Sequence, residues 1–301
     1  MLNRRRFLTI SAAAVALPRR AAASPHVWTG AAMGARATIR ITHPDAVAIT
    51  TRAATEIDRL EGVFSLYRPD SALARLNAAG RLDAPPFELL ECLTLAGSVH
   101  VASGGLFDPT VQRLWETWAE AAIAGRRPTQ SEIEAALALT GWSRVRVDTG
   151  AVVIEPGMAL TLNGIAQGYV ADRVAALLEA EGLFDVLIDT GELRALGGRP
   201  GGGVWPVRLA QGGEVGLQGR ALATSAPLGT TFDPEGRCGH ILDPRTGQPE
   251  PSAWRAVSVT APQAALADAL STALCLTKVK AEADAVCDHF ADVTIESLLP
   301  A

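Results

Sequence analysis

Two glycines, Gly164 and Gly168, mark the sharpest boundary in this chain. Leu160-Thr161-Leu162-Asn163 runs up to them. Tyr169-Val170-Ala171-Asp172-Arg173-Val174 follows, and its apolar positions continue through Leu177 and Leu178 at helical spacing. The pattern predicts a short apolar strand, a tight turn and a helix reaching about Glu181, with Thr161 or Asn163 as the cap. The first N–H groups of such a helix have no partner inside it and face one way, so they offer a seat to an anion. Ordinary strand-to-helix connections share this pattern, so its meaning depends on the rest of the chain.

The N-terminus reads as an address rather than as part of the fold. Asn3-Arg4-Arg5-Arg6-Phe7-Leu8-Thr9 is a twin-arginine pattern, and the apolar run from Phe7 to Leu17 that follows is too short for a bilayer, which takes roughly 20 residues. Arg19, Arg20 and the small-residue site Ala21-Ala22-Ala23 come next. We expect residues 1–23 to be a cleaved twin-arginine export signal, and residues 24–301 to form one periplasmic domain that does not span the membrane when mature.

Cleavage would remove five of the 27 basic residues and no acidic one. That leaves 22 basic against 32 acidic side chains, a formal charge of −10. An acidic surface argues against nucleic acid as a partner, because phosphate binding needs a basic face. The four cysteines, Cys92, Cys238, Cys275 and Cys287, form no C-x-x-C pair, which argues against zinc and thioredoxin-like chemistry. Export permits disulfides, but Cys92, Cys275 and Cys287 sit in apolar helical patterns that suit buried thiols equally well.

Along the chain, strands are expected at 35–41, 184–189, 193–196, 204–209, 221–224, 254–260 and 293–295, with a hairpin over 144–155. Helices are expected at 45–64, near 71–77, at 86–103, around Trp115 and Trp118, after the capping box Thr129-x-x-Glu132, at 264–276 and at 281–290. Helices and strands mix without regular βαβ alternation, so the class is α+β. The glycine-rich segment 197–203 lacks the order of a dinucleotide fingerprint and reads as a loop.

Asp268 and Thr272 lie four apart in Ala267-Asp268-Ala269-Leu270-Ser271-Thr272-Ala273-Leu274, so their oxygens share one helix face. A carboxylate among alanines and leucines needs a counter-charge. A hard cation would supply one, and so would an arginine or a neighbouring helix end. His240 sits at a strand end beside the turn Asp243-Pro244-Arg245-Thr246-Gly247, where it could act as a base or serve structure. There is no G-x-S-x-G elbow, H-E-x-x-H or P-loop, and the two lysines, Lys278 and Lys280, follow a helix end.

Taken together, several blocks resemble the ApbE family of FAD:protein FMN transferases. They are Met33-Gly34; Ser65-x-Tyr67 with Ser71 and Asn77; Gly104-Gly105-x-Phe107-Asp108-Pro109-Thr110; Asn163-Gly164-Ile165-Ala166-Gln167-Gly168-Tyr169 through Asp172; Thr224-Ser225 with His240-Ile241-Leu242-Asp243-Pro244-Arg245-Thr246-Gly247; and the helix carrying Asp268 and Thr272. The resemblance implies largely antiparallel sheets packed with helices. It also implies transfer of FMN from FAD, with Mg²⁺, to a threonine of an acceptor protein. Ala166 (backbone carbonyl), Asp268 and Thr272 would hold the metal, and His240 would be the base. Met33, Tyr67, Asp108, Gly164, Gln167, Gly191, Glu192 and Thr224 would line the flavin nucleotide.

Where the family commonly reads D-L-G-G-I-A-K-G, this chain has Thr161 for the Asp, Asn163 for a Gly and Gln167 for the Lys; Thr190-Gly191-Glu192 replaces G-G-D or G-G-N. The N-G-I-A-Q-G form, with the leader, resembles the NosX branch, which serves nitrous oxide reductase maturation and implies a NosR-type acceptor. Two alternatives stay open: hydrolysis of FAD to FMN and AMP, and a non-catalytic flavin-binding assembly factor.

Overall fold

His26–Ala32 (β1) and Ala35–Ile41 (β2) pair antiparallel, from His26 opposite Ile41 to Ala32 opposite Ala35. The two residues between them, Met33 and Gly34, both have positive φ, at 50° and 81°. A two-residue turn of that hand matches the twist of the flanking strands. In this computed structural model the described residues are 26–209, 212–249 and 251–301, so the expected export signal lies outside them.

The remaining elements follow in chain order. They are α1 (Ala46–Phe64), α2 (Ala72–Ala79), β3 (Arg81–Asp83), α3 (Phe87–Ala102), α4 (Gln112–Ile123), α5 (Gln130–Leu137), β4 (Arg146–Val147), β5 (Ala151–Val153) and α6 (Ala166–Ala180). Then come β6 (Val186–Asp189), β7 (Leu193–Leu196), β8 (Trp205–Arg208), β9 (Glu214–Leu217), β10 (Ala221–Ser225), β11 (Trp254–Ala261), α7 (Ala264–Leu274), α8 (Lys280–Cys287) and β12 (Thr294–Pro300).

Seven strands form one antiparallel sheet in the order β1-β2-β6-β7-β10-β11-β12; β3-β5-β4 and β8-β9 are small separate sheets. The α+β expectation holds. Three strands were not legible. β1 exposes Thr29, Gly30 and Ala31, so it shows little alternation, while β3 and β9 are only three and four residues long.

Local chemistry explains most boundaries. The Ser71 side chain accepts the Ala74 N–H to start α2, and Gly80, at φ 72°, ends it. The capping box at Thr129 and Glu132 is formed. One expectation fails: residues 160–162 make no strand. Asn77 holds Leu160 instead, donating to its carbonyl and accepting its N–H, both at 2.8 Å. Neither expected residue caps α6. Its N-cap is Ile165, and Thr161 Oγ1 accepts the Asn163 N–H one turn too early.

The main core lies between the large sheet and α1, α3, α6 and α7. Helix α7 is buried almost all round because it is wedged between α6 and strands β10 and β11, which accounts for its alanines and leucines. The β8–β9 hairpin covers Leu187, Leu193, Ala195 and Leu222 on the opposite face. A third cluster joins Leu114, Trp118, Ile133 and Ala136 to Cys238 and Leu242 of the loop that carries His240. All four cysteines are buried free thiols, which settles that open alternative.

Candidate active site

The site is built where α6 meets α7. Each helix starts close to where the other passes, and three glycine or aspartate positions record the register. At the α6 start, a side chain on Gly164 would put its Cβ 3.1 Å from Thr272 Oγ1. One turn on, the Gly168 N–H donates to Asp268 Oδ2 at 3.2 Å. After one more turn, the Asp172 carboxylate accepts the Ala264 and Ala265 N–H groups at 2.9 Å each, capping α7. The helices therefore run antiparallel. Ala166 falls in sequence between the residue that meets Thr272 and the residue that meets Asp268, so the start of α6 lies against the stretch of α7 that carries both.

Glycine is required for this approach. A Cβ on Gly168 would lie 2.3 Å from the Ala264 carbonyl oxygen, inside any permitted contact. The amides of the turn are less free than the sequence suggests. Those of Ile165 and Ala166 bond to Leu162 O, and that of Gly168 to Asp268. Among the described residues, no acceptor takes the N–H of Gly164 or Gln167, which leaves two donors for an anion.

Two carboxylates are buried beside one another here. Burial pushes Asp268 up to about 7. Glu192 is raised well above the ordinary range, first by burial and then by the charges of Asp268 and Asp189, against one hydrogen bond from the Thr224 backbone. The nearby Arg194 guanidinium is engaged by Asp172 at 3.2 Å. A pair of this kind holds a proton unless a cation arrives. Among the described residues no protein donor reaches Asp268 Oδ1, and none form a cluster of three or more His, Cys, Asp and Glu side chains suited to a metal. One free carboxylate oxygen with a hydroxyl one helical turn on suits a hard divalent cation that also draws on substrate phosphates, and suits a soft metal poorly.

His240 is held by a different element. Its Nδ1 lies 3.2 Å from the Pro227 carbonyl and 3.1 Å from that of Thr230. Carbonyls only accept, so Nδ1 carries the proton and the lone pair resides on Nε2. Burial lowers the imidazole pKa, which keeps the ring neutral. The loop bearing these carbonyls leaves β10 at Ser225, whose hydroxyl is 3.2 Å from Thr272 Oγ1. The neutral imidazole thus hangs from the segment that begins at the α7 oxygens, with Nε2 in the state a proton acceptor needs.

The expected nucleotide contacts fall into three groups. Tyr67 lines a cavity of about 440 Å³ with Leu66, Asn77, Trp115 and Asn163, which connects it to the Gly164 turn. Met33 is linked to that wall: its N–H donates to Glu61, which also binds Arg68 beside Tyr67. Gln167 and Gly191 are adjacent, since a Cβ on Gly191 would be 3.1 Å from Gln167 Nε2; the neighbouring Glu192 is buried and accepts from the backbone of the half-buried Thr224. Asp108 stands apart. Its carboxylate accepts the Thr110 N–H and hydroxyl and the Trp142 N–H, so it shapes the loop that sets Phe107 against Gly164. Sequence reasoning gave no role to Ser225 or Asn77, whose contacts are long-range.

The ApbE family model matches residues 33–294. The chain belongs to the ApbE family. An FAD:protein FMN transferase of Salmonella typhimurium is 28% identical over 281 residues, spanning 85% of this chain and 80% of that protein. The flavinyl transferase ApbE of Pseudomonas stutzeri has a similar structure, with a TM-score of 0.78 at 29% identity over 87% of each chain. The ApbE protein of Thermotoga maritima aligns with a TM-score of 0.80 at 27% identity, over 90% of this chain and 94% of that one. These likenesses carry the α+β, largely antiparallel architecture across the family. No described helix is long and apolar enough to cross a membrane.

Proposed function

We propose that the protein transfers FMN from FAD to a threonine hydroxyl of an exported or membrane-anchored acceptor, releasing AMP. The names borne by its relatives support the transferase activity. The observation that supports the reading for this chain is the antiparallel α6–α7 register, which sets Gly164 against Thr272 and Gly168 against Asp268 beside a turn with two free amides. Ala166 O, Asp268 Oδ1 and Thr272 Oγ1 would hold Mg²⁺, which when bound neutralises charge on the diphosphate and on the departing AMP. The Gly164 and Gln167 amides donate to the same diphosphate from the helix start. His240 Nε2 takes the proton of the attacking threonine as its oxygen bonds to the FMN-side phosphorus and the bond to AMP breaks. Tyr67 and the cavity behind it take an aromatic part of FAD.

The leader and the N-G-I-A-Q-G turn favour a periplasmic site of action and a NosR-type acceptor. The test is incubation of the protein with FAD, Mg²⁺ and a NosR-type domain, followed by a gel read for covalent flavin fluorescence. A fluorescent band is expected, lost in Asp268→Ala and not restored by more Mg²⁺. Free FMN without a band would make the protein an FAD hydrolase. Bound FAD with neither product would make it an assembly factor.

A further inference from the structure

A chain of hydroxyls runs behind the α7 oxygens, and its proton directions are fixed by its far end. Ser271 Oγ lies 3.0 Å from the Asp268 carbonyl, which can only accept, so the Ser271 hydroxyl donates there. Its one proton is then used, and its 2.7 Å contact with Ser225 Oγ requires Ser225 to donate. With Ser225's proton used in turn, its 3.2 Å contact with Thr272 Oγ1 requires Thr272 to donate. The order is Thr272 to Ser225 to Ser271 to the Asp268 carbonyl. Each hydroxyl has one proton, so no other arrangement satisfies all three contacts.

The consequence lies at Thr272. A threonine hydroxyl in a helix ordinarily turns its proton toward a backbone carbonyl one turn back, and its lone pairs then point wherever that leaves them. Here the proton points at β10, so the Oγ1 lone pairs face away from the strand, on the side where a Cβ built on Gly164 would lie 3.1 Å from Oγ1. Ser225 is well placed to enforce this. It is the last residue of β10, where the strand pairs with β11, and its carbonyl lies 3.7 Å from the buried Cys275 Sγ.

We infer that Ser225 is a positioning residue: it takes the Thr272 proton and aims the Thr272 oxygen at the divalent cation between α6 and α7. The inference rests on the cation reading of the Ala166, Asp268 and Thr272 oxygens. Its effect belongs to cation affinity first and to transfer second. Outer-shell partners that orient a ligand change metal affinity by roughly 10- to 100-fold when removed.

The test titrates Mn²⁺, read by electron paramagnetic resonance of the free ion, into the wild type, Ser225→Ala, Ser225→Thr and Asp268→Asn without flavin and again with FAD present. Melting temperatures are measured without metal. Ser225→Ala is expected to weaken Mn²⁺ about tenfold or more. Ser225→Thr, which keeps the acceptor, should bind within about threefold of the wild type, and both variants should melt near it. Equal weakening in Ala and Thr, or none in Ala, overturns the role of Ser225 while leaving the cation site intact. Wild-type binding that persists in Asp268→Asn, or no wild-type binding either alone or with FAD present, removes the cation site itself and the inference with it.

Discussion

Alanine at position 168 should destabilise this protein, although the same change in most helices does the opposite. In a helix interior, Gly→Ala gains about 1 kcal/mol from backbone entropy and propensity. At Gly168 the new Cβ would meet the Ala264 carbonyl oxygen at 2.3 Å, its carbon at 2.4 Å and the Ala265 nitrogen at 2.6 Å. Ordinary contact begins at 3.4 Å, so the backbone of α7 must retreat by about 1 Å. That backbone belongs to a helix wedged against β10 and β11, with no flexible side chain to give way. Overpacking of this sort costs about 1–3 kcal/mol, and an obstacle made of backbone belongs at the upper end. Net of the helix gain, the loss is about 2 kcal/mol, or a fall of about 3–4 °C in melting temperature for a chain of this size. Scanning calorimetry at a fixed rate reads it. The retreat also breaks the Gly168–Asp268 bond, so labelling should fall further than stability. Gly164→Ala, with contacts of 3.1–3.3 Å to a threonine side chain and Phe107, should cost activity with little change in melting. If Gly168→Ala melts at or above the wild type, the helices are not held at this distance and the site as described does not assemble.

Three further outcomes are expected. The rate of FMN transfer should rise with pH and level off below the ordinary imidazole value of 6.5, because burial lowers the His240 pKa. The same shift makes the fold lose stability as pH falls from 6.5 through the lowered value, since the unfolded chain binds that proton more readily. A pH–rate profile with its break above 6.5 would contradict the assignment. Gln167→Lys should tighten FAD binding roughly fivefold, the value of about 1 kcal/mol for a partly exposed charge pair, measured by quenching of flavin fluorescence; unchanged affinity would mean that the amides already suffice. Phe232→Ala should lower the melting temperature and slow transfer while FAD affinity holds, because Phe232 packs at 5.7 Å and 5.8 Å from the Trp115 and Trp118 rings and bonds to Cys238 in the loop that carries His240. A large loss of FAD binding would place Phe232 in the nucleotide cavity instead.

How much of this was readable from the sequence follows from the distance over which each feature is decided. The capping box at Thr129, the α1 stripe and the alternation of β2 are settled within a few residues, and all appear as expected. The segment 160–162 looked like a strand because it is apolar. It is apolar because it is buried, and its polar backbone is satisfied by Asn77, 83 residues away, which no local pattern reveals. The expected cap failed for a related reason, since the last N–H of the first α6 turn already has a carboxylate from α7. Asp268 and Thr272 were visible as a pair because one helix carries both. Ser225 was visible in the block with Thr224 but had no role there, because its meaning comes from hydroxyls 46 and 47 residues on. Asp108 shows the converse: a family block contains it, but its oxygens serve the neighbouring turn, so its effect on the site passes through Phe107 and Gly164. Local spacing thus identified which oxygens sit on one face of α7. Only the crossing of α6 against α7 decides what they face, and that crossing rests on one missing side chain at Gly168.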